Sequence, residues 1–293
     1  INNTAVGTNT LFANTTGTLN VAVGAYALDA NTTANNNNSV GYGSLTNNTT
    51  GGNNCAFGRD ALNENQTAGN NSAFGHNALK ANTTGTDNVA VGSYALDANT
   101  TADNNTAMGK ASLSNNTTGS ANTGYGKDSL VNNTTGYSNT AVGANALAGA
   151  SSATGHTNVG IGVSAGSSIN TGFRNTIINT TAPVTHGDYN ILIGYRAGEA
   201  ASPSGQVNNG DGTICLGDNN IASLFCADTS ISSSDSRDKT DVADFTKGLD
   251  WIKALRPVTY RWDRRSWYGT DEEPFGTPDG SKKRTKLHVG FLA

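Results

Sequence analysis

The chain has 293 residues and a formal net charge of −4, with only 14% charged and 35% hydrophobic residues, against roughly 25% and 45–50% in ordinary globular domains. With 36 glycines, and Asn and Thr filling the gap, the composition argues against one large apolar core and against a helical fold. The low net charge and the regular recurrence of apolar residues argue against simple disorder, and no run of 18 apolar residues offers a transmembrane span.

The chain starts at Ile1 with no recognisable signal peptide, which reads as a mature or partial chain. Cys55, Cys215 and Cys226 are too few and too scattered for a disulfide scaffold or a zinc site. They read as small buried thiols, with a Cys215–Cys226 pair as the alternative. Charge is unevenly spread. Residues 1–150 carry 4 Lys/Arg and 7 Asp/Glu, residues 151–234 carry 2 and 5, and residues 235–293 carry 12 and 10. The shift predicts a domain boundary near residue 232.

Residues 1–150 are an internal repeat. Gly7, Gly24, Gly41, Gly58, Gly75, Gly92, Gly109, Gly126 and Gly143 recur at a strict period of 17. Four residues before each is an Asn (Asn3 to Asn139). Four residues after each is a Leu, without exception, as Leu28 follows Gly24 and Leu147 follows Gly143. Directly before each Gly is an apolar residue: Val6, Val23, Val40, Phe57, Phe74, Val91, Met108, Tyr125 and Val142. A second Asn column runs from Asn14 through Asn31 and Asn48 to Asn133.

A period of 17 is too short for helix–turn–helix repeats or propeller blades, which need about 33 residues or more. It suits one coil of a β-solenoid: a short strand ending at a Gly of positive φ, then turns built on Asn-Thr-Thr-Gly. Coils stacked at about 4.8 Å would make nine of them a rod of roughly 40 Å. The apolar and Leu columns are then expected to form two inward stripes, and the Asn columns hydrogen-bonded ladders. Each coil buries little by itself, so neighbouring coils, and other chains, must supply stability. The strings Asn3–Gly7 (NTAVG), Asn20–Gly24 and Asn88–Gly92 (NVAVG) resemble the head repeats of YadA-type trimeric adhesins. That resemblance implies a parallel β-roll in a homotrimer.

After Leu147 the period breaks, but Asn158–Gly162, Asn175–Asn179, Asn190–Gly194 and Thr213–Gly217 still read as coil cores, with spacings of 17, 15 and 23. Residues 151–231 are thus expected to continue the fibre with loop insertions. The recurring Asn-x-Thr triplets match glycosylation sequons formally, but their fixed register favours turns and ladders. His76, His156, His186 and His288 lack metal-ligand spacing, and no phosphate loop, nucleophile elbow or basic patch occurs in residues 1–231. No cofactor and no metal are expected. A glycan hydrolase would need two carboxylates in one groove. Here Asp29 and Asp97 share one column and Asp60 and Asp128 another, with Glu64, Asp87 and Asp103 scattered.

Residues 232–293 change character. Asp241 can cap a helix over about 242–255, with Val242, Phe245, Leu249 and Ile252 on one face and Pro257 ending it. Residues 258–263 (VTYRWD) and 286–293 (KLHVGFLA) alternate as strands around a polar loop, making a small α+β module. The run Lys282–Lys286 reads as a solvated loop, and nucleic acid is not an expected partner.

Ser234–Lys239 (SDSRDK), the helix, LRPVTYRW and HVGFLA resemble the intramolecular chaperone domain at the C-terminus of phage tailspikes and tail fibres, of which endosialidase tailspikes are the best-known carriers. In that family a Ser-Asp is followed by a Lys five residues after the Ser, which falls on Ser234, Asp235 and Lys239; His288 also matches a family position. The resemblance implies that the module trimerises the stalk during folding and is released by self-cleavage at the motif serine. The family continues beyond the position of Ala293 with a Gln-Glu segment and a long helix, so residues 232–293 correspond to the N-terminal part of the domain.

The residue types fit that chemistry. A serine hydroxyl becomes a nucleophile when a base takes its proton, and a lysine of lowered pKa can be that base. On a helix, Ser234 and Lys239 would lie about 140° apart, and on a strand they would point to opposite faces. The dyad therefore needs a turn, or a Lys239 from another protomer. The scissile bond is one of the two flanking Ser234. The plain alternative is a flexible Ser-rich linker.

The expected protein is thus an all-β, homotrimeric solenoid fibre with a shaft at 1–150, an irregular continuation at 151–231 and a chaperone module at 232–293. Its expected role is virion tail fibre in host attachment. The expected partners are other tail or baseplate proteins and a host surface glycan or protein receptor, without membrane insertion. The alternatives are a bacterial trimeric surface adhesin and, further off, a glycan-cleaving tailspike.

Overall fold

The computed structural model describes residues 2–181, 183–200, 202, 204–221, 256–260, 281 and 288–292. The chain divides into two compact units, Ile1–Phe225 and Cys226–Ala293. The expected helix over 242–255 lies outside the described residues.

The first unit is a parallel β-solenoid. Three-residue strands β1 (Thr4–Val6) to β9 (Thr140–Val142) start at a constant interval of 17. β10 (Val159–Ile161), β11 (Thr176–Ile178), β12 (Ile191–Ile193) and β13 (Ile214–Leu216) follow at intervals of 19, 17, 15 and 23. All thirteen form one sheet in chain order. Equivalent positions stack in register: Ser72 pairs with Val89, Ala73 with Ala90 and Phe74 with Val91.

Successive residues of a strand point to opposite faces, so a three-residue strand sends its middle side chain one way and its two flanking side chains the other. The middle residue faces the lumen: Ala22, Ala56, Ala73, Ala90, Ala107 and Ala141 are fully buried. The apolar column before each Gly, expected inside, lies on the outer face. Val6 is 59% exposed, Phe57 39%, Tyr125 56% and Val142 38%. Lumen width is the reason. A Cβ added at Gly124 would sit 2.5 Å from Ser112 Oγ, and one at Gly160 2.6 Å from Leu147 Cγ. In these coils a Val or Phe at the inner position has nowhere to go.

The Leu column is inside, as expected. Leu28, Leu45, Leu62, Leu79, Leu96 and Leu113 are fully buried, while Leu11, in the first coil, is partly open. These leucines adopt left-handed backbone, with φ between 47° and 54° along the column. For an L-residue that costs roughly 1–2 kcal/mol, while burying a leucine side chain stabilises by about 1.5–3 kcal/mol. Burial wins by a modest margin in each coil.

Later coils exchange these volumes. Gly166 and Gly198 occupy the Leu position, with φ of 62° and 77°, and the bulk moves to the strand centre as Ile177 and Leu192, both fully buried. A Cβ at Gly166 would meet Leu147 Cδ2 at 2.8 Å and Ile177 Cδ1 at 3.2 Å.

The corner glycines have a separate requirement. Gly75 has φ 145°, and a Cβ there would lie 2.6 Å from the Gly92 carbonyl, so the tight approach of successive coils excludes any side chain.

Two buried Asn columns complete the lumen. Asn71 Nδ2 donates to the Gly85 carbonyl (2.9 Å), and its Oδ1 accepts from the Asn88 backbone N–H (3.0 Å). The same link recurs up to Asn190, whose Oδ1 accepts from Thr213 N–H at 2.9 Å. In the second column Asn82 Nδ2 donates both to Asn65 Oδ1 and to the Gly85 carbonyl, each at 2.9 Å. Pairing of this kind offsets the cost of burying amides. Asn105 keeps the Oδ1 link to Asn122 N–H, while its Nδ2 has no hydrogen-bond partner among the described residues.

The second unit contains β14 (Arg256–Tyr260) antiparallel to β15 (His288–Leu292), with Tyr260 opposite His288. Pro257, expected to end a helix, stands inside β14 opposite Phe291.

Truncating one ladder rung, Asn71→Ala, leaves the Asn88 N–H unpaired in the lumen and strips the Gly85 carbonyl of one of its two side-chain donors. The expected loss is about 2–4 kcal/mol, the buried orphan costing about 1–3 and the lost hydrogen bond about 1 kcal/mol. Denaturant unfolding of wild type and variant measures it, and a loss below about 0.5 kcal/mol would remove the ladder from the account of stability.

Candidate functional site

Ser234, Asp235 and Lys239 lie outside the described residues, as does the basic run Lys282–Lys286. In the same unit the structure describes the β14–β15 ladder, which sets the backbone of His288 opposite Tyr260.

On the solenoid, the outer face of the sheet is formed by two columns. One runs from Val6 to Leu216 and is apolar in all thirteen strands; the other runs from Thr4 to Ile214. Neither contains a charged residue. Phe57 and Phe74 stack on this face with centroids 5.4 Å apart. A long, uncharged, half-apolar sheet face is unusual on a monomer's surface.

The acidic residues do not assemble into hydrolytic pairs along their columns. Asp29 and Asp97 are four coils apart, as are Asp60 and Asp128, which at strand spacing is about 19 Å. Glycoside hydrolysis needs carboxyl groups about 5–9.5 Å apart. Asp60 instead pairs with Arg59 (3.1 Å) and Asp128 with Lys127 (2.8 Å), while Asp103 accepts from Thr86 Oγ1 at 3.1 Å.

Two histidines of the solenoid pack against aromatic rings. His76 meets Tyr94 edge-on, with centroids 5.1 Å apart. His156 lies between Tyr137 (4.5 Å) and Phe173 (5.1 Å), with interplanar angles of 6° and 11°. That stack bridges the lengthened interval between β9 and β10. Its rings turn their faces to one another, which suits it to stapling the coils. His186 Nδ1 lies 2.9 Å from Thr185 Oγ1. Among the described residues no group of three His, Cys, Asp or Glu could hold a metal ion, and no helix is long and apolar enough to cross a membrane.

Cys55 and Cys215 are free thiols, Cys215 buried, and burial pushes the Cys55 thiol up; Cys226 lies outside the described residues. The sequons at Asn31, Asn48, Asn65, Asn82, Asn99 and Asn116 belong to fully buried ladder residues, so in the folded chain they are closed to modification.

A notch of about 200 Å³ opens between Val163, Asn179, Thr181, Tyr195, Arg196 and Glu199. The composition and motifs give no hint of it. Its one trace in the sequence is the shortened 15-residue interval between Asn175 and Asn190.

Asp97 is half-buried, with Oδ1 lacking a hydrogen-bond partner. Burial holds its carboxyl above the usual carboxylate range, outweighing the lowering by its own backbone N–H and by Lys80. A raised folded pKa means that the fold favours the proton. Stability is therefore lost as pH rises from the unfolded value through the folded one. Asp97→Asn is expected to raise Tm by roughly 1–3 °C at pH 7, with the gain vanishing below about pH 4. Thermal unfolding at both pH values measures this, and a pH-independent difference would contradict it.

No curated protein and no solved structure matches the chain. Residues 234–293, which contain the candidate Ser234, Asp235 and Lys239 together with β14 and β15, match the family model described as the chaperone of endosialidase, so the chain is a β-solenoid carrying a chaperone-of-endosialidase segment at its C-terminus.

Proposed function

We propose that the chain is a homotrimeric tail-fibre subunit for host attachment, assembled by its C-terminal chaperone segment, which cuts itself off once beside Ser234. The observation that carries this reading is the chaperone match at residues 234–293 downstream of a solenoid whose outer sheet face is long, uncharged and half-apolar. Three copies packing those faces together would remove them from water, at about 25 cal/mol per Å² of apolar area. The chaperone's task is then to bring the three faces into one register before the edges of a half-built solenoid aggregate.

The proposed cleavage follows from the residue types. Lys239 Nζ, neutral, takes the Ser234 Oγ proton as Oγ attacks a neighbouring carbonyl. If that carbonyl belongs to Ser233, a five-membered ring forms and the C–N bond breaks. The amine then takes the proton, and an ester links Ser233 to Oγ. Water cleaves the ester to a carboxylate and a free hydroxyl, closing the balance. Cleavage on the other side of Ser234 requires a different protomer or an activated water. The spacing of five demands a turn or a partner's lysine, so cutting would be gated by folding, and by trimerisation where the lysine is a partner's.

Two experiments test the proposal. Intact mass and unheated-gel mobility of wild type should show a trimeric fragment ending near residue 234, while Ser234→Ala stays whole and trimeric. An uncut trimeric wild type would leave the C-terminal segment a permanent tip. Separately, Phe74→Glu on the outer sheet face should convert the trimer to monomers at micromolar concentration, whereas Thr50→Glu at an exposed bend should not. Equal sedimentation of both variants as trimers would move the interface elsewhere.

A further inference from the structure

We propose that the notch beside β11 is a glycan-binding site that seats a single neutral pyranose ring; this rests on the attachment reading and names its chemistry.

Along β1–β9 each surface column repeats with a period of 17, so such a surface offers the same shallow relief at every coil. A discriminating site needs a break in the repeat. The largest inward break is the 15-residue interval between the ladder residues Asn175 and Asn190, followed by a 23-residue interval to Thr213. A shortened coil has a smaller perimeter, so its neighbours project past it on both sides. The recess holds about 200 Å³, below the roughly 300–1,000 Å³ of pockets for drug-sized ligands, which suits one ring rather than an extended oligosaccharide.

The lining has the two chemistries a pyranose requires. Tyr195 and Val163, from the two projecting coils, are each 70% exposed and offer an aromatic and an aliphatic surface to the C–H face of a sugar. Between them lies an oriented polar group. Glu199 Oε2 accepts from Arg196 Nε at 2.9 Å, and its Oε1 accepts from Thr181 Oγ1 at 3.0 Å. That pairing fixes the guanidinium plane. It leaves the Arg196 Nη donors and the Tyr195 hydroxyl without partners among the described residues, and the Glu199 oxygens with remaining lone pairs. Fixed donors and acceptors side by side match a pair of adjacent hydroxyls, and fixing them beforehand lowers the cost of binding. The Arg196 charge is balanced by Glu199, so the site favours a neutral sugar over an acidic one. A protein receptor would need a contact area of about 1,000 Å² or more, far beyond this recess.

The test uses the full chain with free glucose, galactose, mannose, rhamnose and N-acetylglucosamine as probes in saturation-transfer NMR and titration. Wild type is expected to bind at least one with millimolar affinity. Tyr195→Ala should weaken it roughly tenfold and Glu199→Gln severalfold, while Tyr42→Ala, another exposed tyrosine, should leave it unchanged. Sugar binding insensitive to Tyr195→Ala, or absent from the whole panel, would overturn the proposal. So would a Tyr195→Ala chain that loses its trimer state, because the notch would then be a seat for a neighbouring copy. Adsorption of labelled chain to intact bacteria reads attachment independently. Adsorption that persists in Tyr195→Ala without sugar competition overturns the notch alone, and a chain that binds sugar through Tyr195 but adsorbs to no cell overturns attachment alone.

Discussion

In-register stacking of each coil on the next governs the molecule. When residue i always lies over its counterpart one coil on, every column must be made of residues that tolerate a copy of themselves at strand spacing. Asn satisfies this by donating and accepting along the column, as Asn65, Asn82 and Asn99 do. Alanine satisfies it by being small, and glycine at the corner by having no side chain to collide with the next carbonyl. Charges of one sign would repel their own copies, and the column from Val6 to Leu216 carries none.

The same constraint divides polar from apolar in an unfamiliar way. The lumen is lined by Ala, Leu and paired Asn, and much of the large apolar surface is outside. Where leucine fills the turn, the lumen has no room for bulk at the strand centre, so other bulky residues go to the outer face; where glycine holds the turn, the strand centre takes the bulk. At Gly166 the space a turn leucine would fill is taken by Leu147 and Ile177 of the neighbouring coils. In the proposed trimer, that outer face is the surface on which association between copies would act.

Much of the fold was legible in the sequence because stacking writes itself as exact columns. The corner glycines, the Leu column and the Asn ladders each follow from a residue type repeated at 17 with a single physical use. The orientation of Val91 and its equivalents was not legible by hydrophobicity, since an apolar residue is ordinarily read as inward. The signal lay one residue earlier, in a position restricted to Ala, Ser or Gly from Ala22 to Gly160. The left-handed leucines left no mark, because leucine is an unusual choice for that backbone. The notch was visible only as an irregular interval, whose meaning depends on the three-dimensional perimeter of a coil. Ser234, Asp235 and Lys239 are candidates through resemblance alone, since a bare Ser-Lys pair five residues apart specifies no geometry.

The unbroken register from β1 to β9 has an evolutionary consequence. Any two coils in that stretch present compatible ends, so duplication or loss of a whole unit would preserve every ladder and every corner. Reach would then be a quantised trait, adjustable in steps of about 4.8 Å without redesign of any residue. Changes of other sizes must be absorbed locally, as the two extra residues between β9 and β10 are absorbed between Ala148 and Ala153. Length and local relief can therefore vary independently within one chain.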